Sequence, residues 1–106
     1  MARFDKFLFA SAFFLIIQTG ICAASAASEY SKGYKFYQKH KFDQALEYFD
    51  KAIELKPDYR DALIYRGMIF NHQGLYEQAR SDYDRVIKLD PENFLAFYNR
   101  AANFSE

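Results

Sequence analysis

Cysteine, histidine, proline and glycine are all scarce in this 106-residue chain, and tryptophan is missing: it has one Cys, two His, two Pro and four Gly. A single Cys cannot close an intrachain disulfide, and one Cys with two His cannot supply the four ligands of a structural zinc or iron–sulfur site. Neither sign of charge is in excess, since 14 Lys plus Arg offset 14 Asp plus Glu. No overall field therefore points to nucleic acid or an acidic surface. A phosphate-cradling loop is also lacking, because Gly33, Gly67 and Gly74 stand singly within helical patterns. What the chain does have is 51% hydrophobic and 20% aromatic residues. That is enough apolar surface for a folded domain and far too much for a linker or a disordered tail.

Residues 1–27 have the three-part layout of a secretory signal. Arg3 and Lys6 form a short cationic start, weakened by Asp5; Phe7 to Ile17 is apolar except for Ser11; the small-residue run Ala23-Ala24-Ser25-Ala26-Ala27 follows. Ala24-x-Ala26 suits a signal peptidase, giving a mature start at Ala27, with Ser28 as the neighbouring option. The expected location is then secreted or periplasmic. Phe7 to Ala27 is also 21 residues, and about 20 apolar residues span a bilayer, so a membrane-anchored form is the alternative. Gln18, Thr19 and Gly20 make its second half poorly apolar and favour cleavage. Cys22 is a poor lipidation site because Ile21 precedes it where a small residue is wanted.

The remainder repeats itself. Moving Ser28–Tyr59 along by 34 residues superposes Gly33 on Gly67, Phe36 on Phe70, Gln44 on Gln78, Ala45 on Ala79, Asp50 on Asp84, Ile53 on Ile87, Leu55 on Leu89 and Pro57 on Pro91. A second shift sets Ala62 on Ala96, Arg66 on Arg100 and Phe70 on Phe104. Within each unit the apolar spacing is helical: Leu63, Gly67 and Phe70 fall at i, i+4, i+7, and Ala45, Phe49, Ala52 and Ile53 form the stripe of the following helix. Gly74 can end a helix in the left-handed conformation, and Pro57 and Pro91 interrupt it at the unit boundaries. The spacing predicts helices at about 28–39, 43–56, 60–73, 77–90 and 94–104, paired as hairpins. His40 stands where the second unit has Gly74, which predicts a turn strained by up to about 1 kcal/mol.

These residues resemble the tetratricopeptide repeat (TPR) family, whose 34-residue unit has a small residue and an aromatic in its first helix, Ala and an aromatic in its second, and a closing Pro. Gly33, Phe36, Ala45, Phe49, Ala52 and Pro57 fit that pattern, as do Gly67, Phe70, Ala79, Tyr83 and Pro91. The resemblance implies an all-α fold, a tetratricopeptide-type stack of antiparallel helical hairpins with two full repeats plus one extra helix. A signal peptide over 1–27 precedes a TPR domain over 28–106, with repeats at about 26–59 and 60–93 and a partial one at 94–106.

It also implies a non-catalytic scaffold whose first helices line a concave groove for a peptide or helix of a partner protein. The groove-facing set expected here is Tyr30, Tyr34 and Tyr37, then Ile64, Met68, Asn71 and His72, then Tyr98, which suits an apolar or aromatic ligand. Co-chaperones of the family grip a terminal carboxylate with Lys, Asn and Arg; the matching positions here hold Tyr30, Tyr34, Tyr65, Leu95 and Asn99, so that clamp is absent. Short arrays need about three units to cover their ends. Phe94, Leu95, Phe97 and Phe104 would stay near solvent, so a second copy of the chain, a larger partner or further repeats of a longer array are expected to cover them.

Nothing in the sequence recommends a catalyst, a metal or a cofactor. His40 and His72 lie near hairpin turns with no second ligand beside them, and read as polar turn residues. Asp82, Asp84, Asp58 and Asp61 read as carboxylates on solvated helical faces, with Glu47–Lys51 and Asp84–Lys88 as i, i+4 pairs. Lys35, Lys39 and Lys41 read as a solvated basic face, and the sequon Asn103-Phe104-Ser105 as chance.

Overall fold

The computed structural model describes the backbone of residues 24–104 and the side chains as far as residue 102. Five helices follow one another, with no strand among the described residues: α1 (24–38), α2 (Phe42–Leu55), α3 (Arg60–His72), α4 (Tyr76–Leu89) and α5 (Phe94–Phe104). This is the helical-hairpin stack, with α2 to α5 ending within one residue of the expected bounds. The first helix is longer than expected. Its first described residues, Ala24-Ser25-Ala26-Ala27, are rich in the strongest helix former, and Ala26 is fully buried. Cleavage after Ala26 would cut inside that helix. The rest of the expected signal, Cys22 included, lies outside the described residues, as do the side chains of the sequon and of Phe104.

The hairpins close where two glycines let helices approach. A Cβ on Gly33 would meet the Phe49 ring at 2.8 Å, and one on Gly67 would meet the Tyr83 ring at 2.6 Å. Phe49 and Tyr83 are both fully buried, each contributing on the order of 2–3 kcal/mol by removal of its ring from water. Around them Ala45, Ala52, Ile53, Leu63, Ile69 and Val86 complete one core that runs through both repeats.

Both hairpin turns have one hydrogen-bond pattern. The Lys41 amide donates to the Phe36 carbonyl and the His40 amide to that of Tyr37; the Leu75 amide donates to Phe70 and the Gly74 amide to Asn71. This closure requires a left-handed residue just past the helix. Gly74 takes it at φ 80°, and His40, as expected, takes it at φ 58° with a Cβ to accommodate. The turns between repeats are tied by Tyr59 N–H to Lys56 C=O and Asn93 N–H to Asp90 C=O. Asn93 also caps α5 by accepting the Ala96 amide at 3.0 Å.

Arg66 overturns one expectation. Its guanidinium holds Asp82 through two bonds, at 2.8 and 2.7 Å, and Asp50 through a third at 3.0 Å. Asp82 is 5% exposed, so it is a buried half of an ion pair rather than a solvated carboxylate. Burial pushes its carboxyl up while Arg66 opposes that shift. The next repeat begins the same contact: Arg100 donates to Asp84 at 3.0 Å. Asp84 thus meets α5, whereas Glu47 and Lys51 pair within α2 as expected, at 3.6 Å.

Candidate functional site

The first helices of the repeats set a band of aromatic side chains along one face. Tyr30 of α1 stacks on Tyr34 with ring centroids 6.2 Å apart and on Tyr59, just before α3, at 5.2 Å. Tyr65 of α3 meets Tyr34 edge-on at 5.3 Å and Tyr37 at 5.0 Å. Tyr37 then leans on Phe42, and Phe42 meets His72 at 4.8 Å. All of these rings except exposed His72 are partly buried, so the band is a wall with packed roots and accessible edges. Edge-to-face and offset pairs at these distances favour a fixed arrangement.

Burial holds the Tyr30 phenol well above its usual range, and the nearby Asp61 carboxylate and the neighbouring phenols push the same way. Burial likewise raises Tyr37, Tyr59 and Tyr65, with Asp61 adding to the last two. The phenols of Tyr30, Tyr37, Tyr59 and Tyr65 are therefore neutral at neutral pH and offer hydroxyls and ring faces. Beyond it a cavity of about 230 Å³ is lined by Tyr37, Phe42, Met68, Asn71, His72, Tyr83 and Asn99. Asn71 donates to the Tyr83 hydroxyl at 3.4 Å there. Asn99, in the lining of this cavity, has its amide nitrogen buried without a hydrogen-bond partner among the described residues, which leaves that NH2 group unsatisfied.

Of the residues expected to face a ligand, Tyr30, Tyr34, Tyr37, Met68, Asn71 and His72 lie along this wall or its cavity. Ile64 does not: at 3% exposure it belongs to the core. On α3 the accessible stripe is Asp61, Tyr65, Met68 and His72; it shares Met68 and His72 with the expected Ile64, Met68, Asn71 and His72 and has Tyr65 in place of its neighbour Ile64. Tyr98 of α5 stands apart, 62% exposed and stacked on Phe94. Sequence reasoning missed Phe42 and Tyr59 as wall or cavity residues, and it set Tyr65 and Asn99 at clamp positions without counting them among the ligand-facing residues. The i, i+4, i+7 spacing of Asp61, Tyr65 and Met68 was the signal for Tyr65, and Asn99 is its counterpart 34 residues on.

The family profile described as tetratricopeptide repeat matches residues 30–94. The MJ0572 protein of Methanocaldococcus jannaschii is 41% identical over 61 residues, which are 58% of this chain and 71% of that one. The protein O-mannosyl-transferase TMTC1 of Mus musculus is 35% identical over 72 residues; these are 68% of this chain and only 8% of the relative. Among solved structures, the second TPR of Spaghetti (RPAP3), bound to the HSP90 peptide SRMEEVD, superposes with a TM-score of 0.84 at 23% identity, covering 90% of this chain and 82% of that one.

Proposed function

Since the chain belongs to the tetratricopeptide repeat family, we propose that it is a non-catalytic protein-interaction module that takes a peptide or helix of a partner against the aromatic face of α1 and α3. The observation that carries this reading is the unbroken contact series from Tyr30 through Tyr65 and Tyr37 to His72, beside a cavity with an unused amide donor. Rigid, half-buried aromatic rings give large contact area at small entropic cost. The RPAP3 domain of like fold holds a peptide, which supports a peptide ligand here. Tyr30, Tyr34, Tyr65, Leu95 and Asn99 at the positions of the carboxylate clamp argue for a ligand other than an acidic C-terminus. The transferase activity in the name of TMTC1 is not carried over, because the shared stretch is 8% of that protein.

Replacing Tyr34 and Met68 together by Ala should leave the helical circular dichroism in place and lower capture of the partner by tenfold or more, about 1.4 kcal/mol. Unchanged capture would refute the groove assignment.

A second reading, self-association through α5, is favoured by Phe94 at 75%, Leu95 at 56% and Tyr98 at 62% exposure. Sedimentation of residues 24–106 checks it; a monomer throughout the micromolar range counts against it. We place the protein in a secreted or periplasmic compartment on the strength of the N-terminal signal pattern. An anchored form is the alternative, although no described helix is long and apolar enough to cross a membrane.

A further inference from the structure

Resting on the groove reading above, the geometry points to a cation in the ligand: we propose that the groove selects a segment carrying an Arg or Lys, received on the Tyr59 ring beside Asp61, where Lys56 now lies. The neutral, stacked rings of Tyr30 and Tyr59 present negative faces, and a cation within about 6 Å of such a face is attracted. The chain already uses its tyrosines this way. The Lys56 ammonium is 5.5 Å from the Tyr59 ring centre, and those of Lys51 and Lys32 are 5.1 and 5.9 Å from that of Tyr48.

Charge complementarity singles out the Tyr59 position as the receptive one. A cavity of about 710 Å³ opens beside it, lined among others by Tyr59, Asp61, Asp58, Arg60 and Asp90. Arg60 is committed to Asp90 at 3.4 Å. Asp61 has no ion pair among the described residues and lines the same cavity as Tyr59, and its charge raises the phenols of Tyr30, Tyr59 and Tyr65. Lys56 sits on an exposed turn at the end of a flexible stem, held by a ring face rather than by a carboxylate. It acts as a placeholder. A guanidinium from a ligand stacks on an aromatic face better than an ammonium does and can also bond a carboxylate through its planar fork. It would displace Lys56 and meet Asp61.

Three fluorescein-labelled 12-residue peptides test this, sharing one Leu/Tyr framework and carrying two Arg, two Gln or two Glu, with anisotropy read on the full chain. The Arg peptide should bind about tenfold more tightly than the Gln peptide, and the Glu peptide more weakly than either. Lys56→Ala should tighten the Arg peptide about threefold and Asp61→Asn should weaken it about fivefold, both leaving the Gln peptide unmoved. Equal binding of the Arg and Gln peptides, both lost in Tyr34→Ala/Met68→Ala, would overturn the cation selection and leave the groove reading standing. Binding of the Arg peptide that ignores both Lys56→Ala and Asp61→Asn would overturn it as well. No binding of any peptide overturns it too, while the groove reading then depends on partner capture alone.

Discussion

The two repeats solve one packing problem with different side chains. In the first, Gly33 faces Phe49, Lys32 lies over the Tyr48 ring, and His40 closes the turn. Thirty-four residues on, Gly67 faces Tyr83, Arg66 grips Asp82, and Gly74 closes the turn. The glycine–aromatic contact is kept because interhelical distance leaves room for nothing else. The position beside it accepts either a cation–π contact or a bidentate ion pair, since both need only a long cation and a partner across the hairpin. The turn position accepts a strained His because one unfavourable φ costs less than losing the turn's paired hydrogen bonds.

The sharpest break should come at the shared contact. Gly67→Leu has to displace a fully buried Tyr83 and should lower stability by about 3 kcal/mol or more, visible in urea unfolding; Gly33→Leu should cost nearly as much. A milder result for both would mean that the hairpins can separate without harm. Next comes the bidentate pair of Arg66 with Asp82 across the hairpin of the second repeat, where the first has Lys32 over Tyr48. Asp82→Ala should cost about 2–3 kcal/mol, because Arg66 then keeps only the exposed Asp50 while still partly buried, whereas Lys32→Ala in the first repeat should cost under about 0.5 kcal/mol. Equal losses would erase the distinction drawn between the repeats. The smallest effect runs the other way: His40→Gly should raise the melting temperature slightly, for a gain of about 0.5–1 kcal/mol, and Gly74→Ala should lose about 1 kcal/mol.

The fold was legible because its packing rules are periodic. Gly33 and Gly67, the Ala and aromatic stripes and the boundary prolines recur at one fixed interval, so each repeat corroborates the other. The helical state of Ala24–Ala27 escaped because that stretch satisfies two demands at once, those of a peptidase and those of a helix. The candidate site was legible on α1 and at Met68, Asn71 and His72 of α3, and was misread at Ile64. Ile64 and Tyr65 are neighbours separated by about 100° around α3, and apolar character alone does not decide which of them faces the core; the larger ring with a hydroxyl took the rim. The Arg66–Asp82 pair was invisible because its partners lie 16 residues apart on facing helices, beyond any spacing that a single helix teaches. Tyr59 lies at a break in the pattern, where periodicity has nothing to say.

Asp50 to Arg66 and Asp84 to Arg100 are both bonds across 16 residues, each spanning one inter-repeat turn. Such equal spans act as spacers of fixed length. A single inserted or deleted residue at 56–59 or 90–93 would swing the following helix by roughly a quarter turn or more and point its arginine away from the waiting carboxylate. Variation among natural or engineered versions of this chain should therefore take the form of substitution at these turns and spare their length.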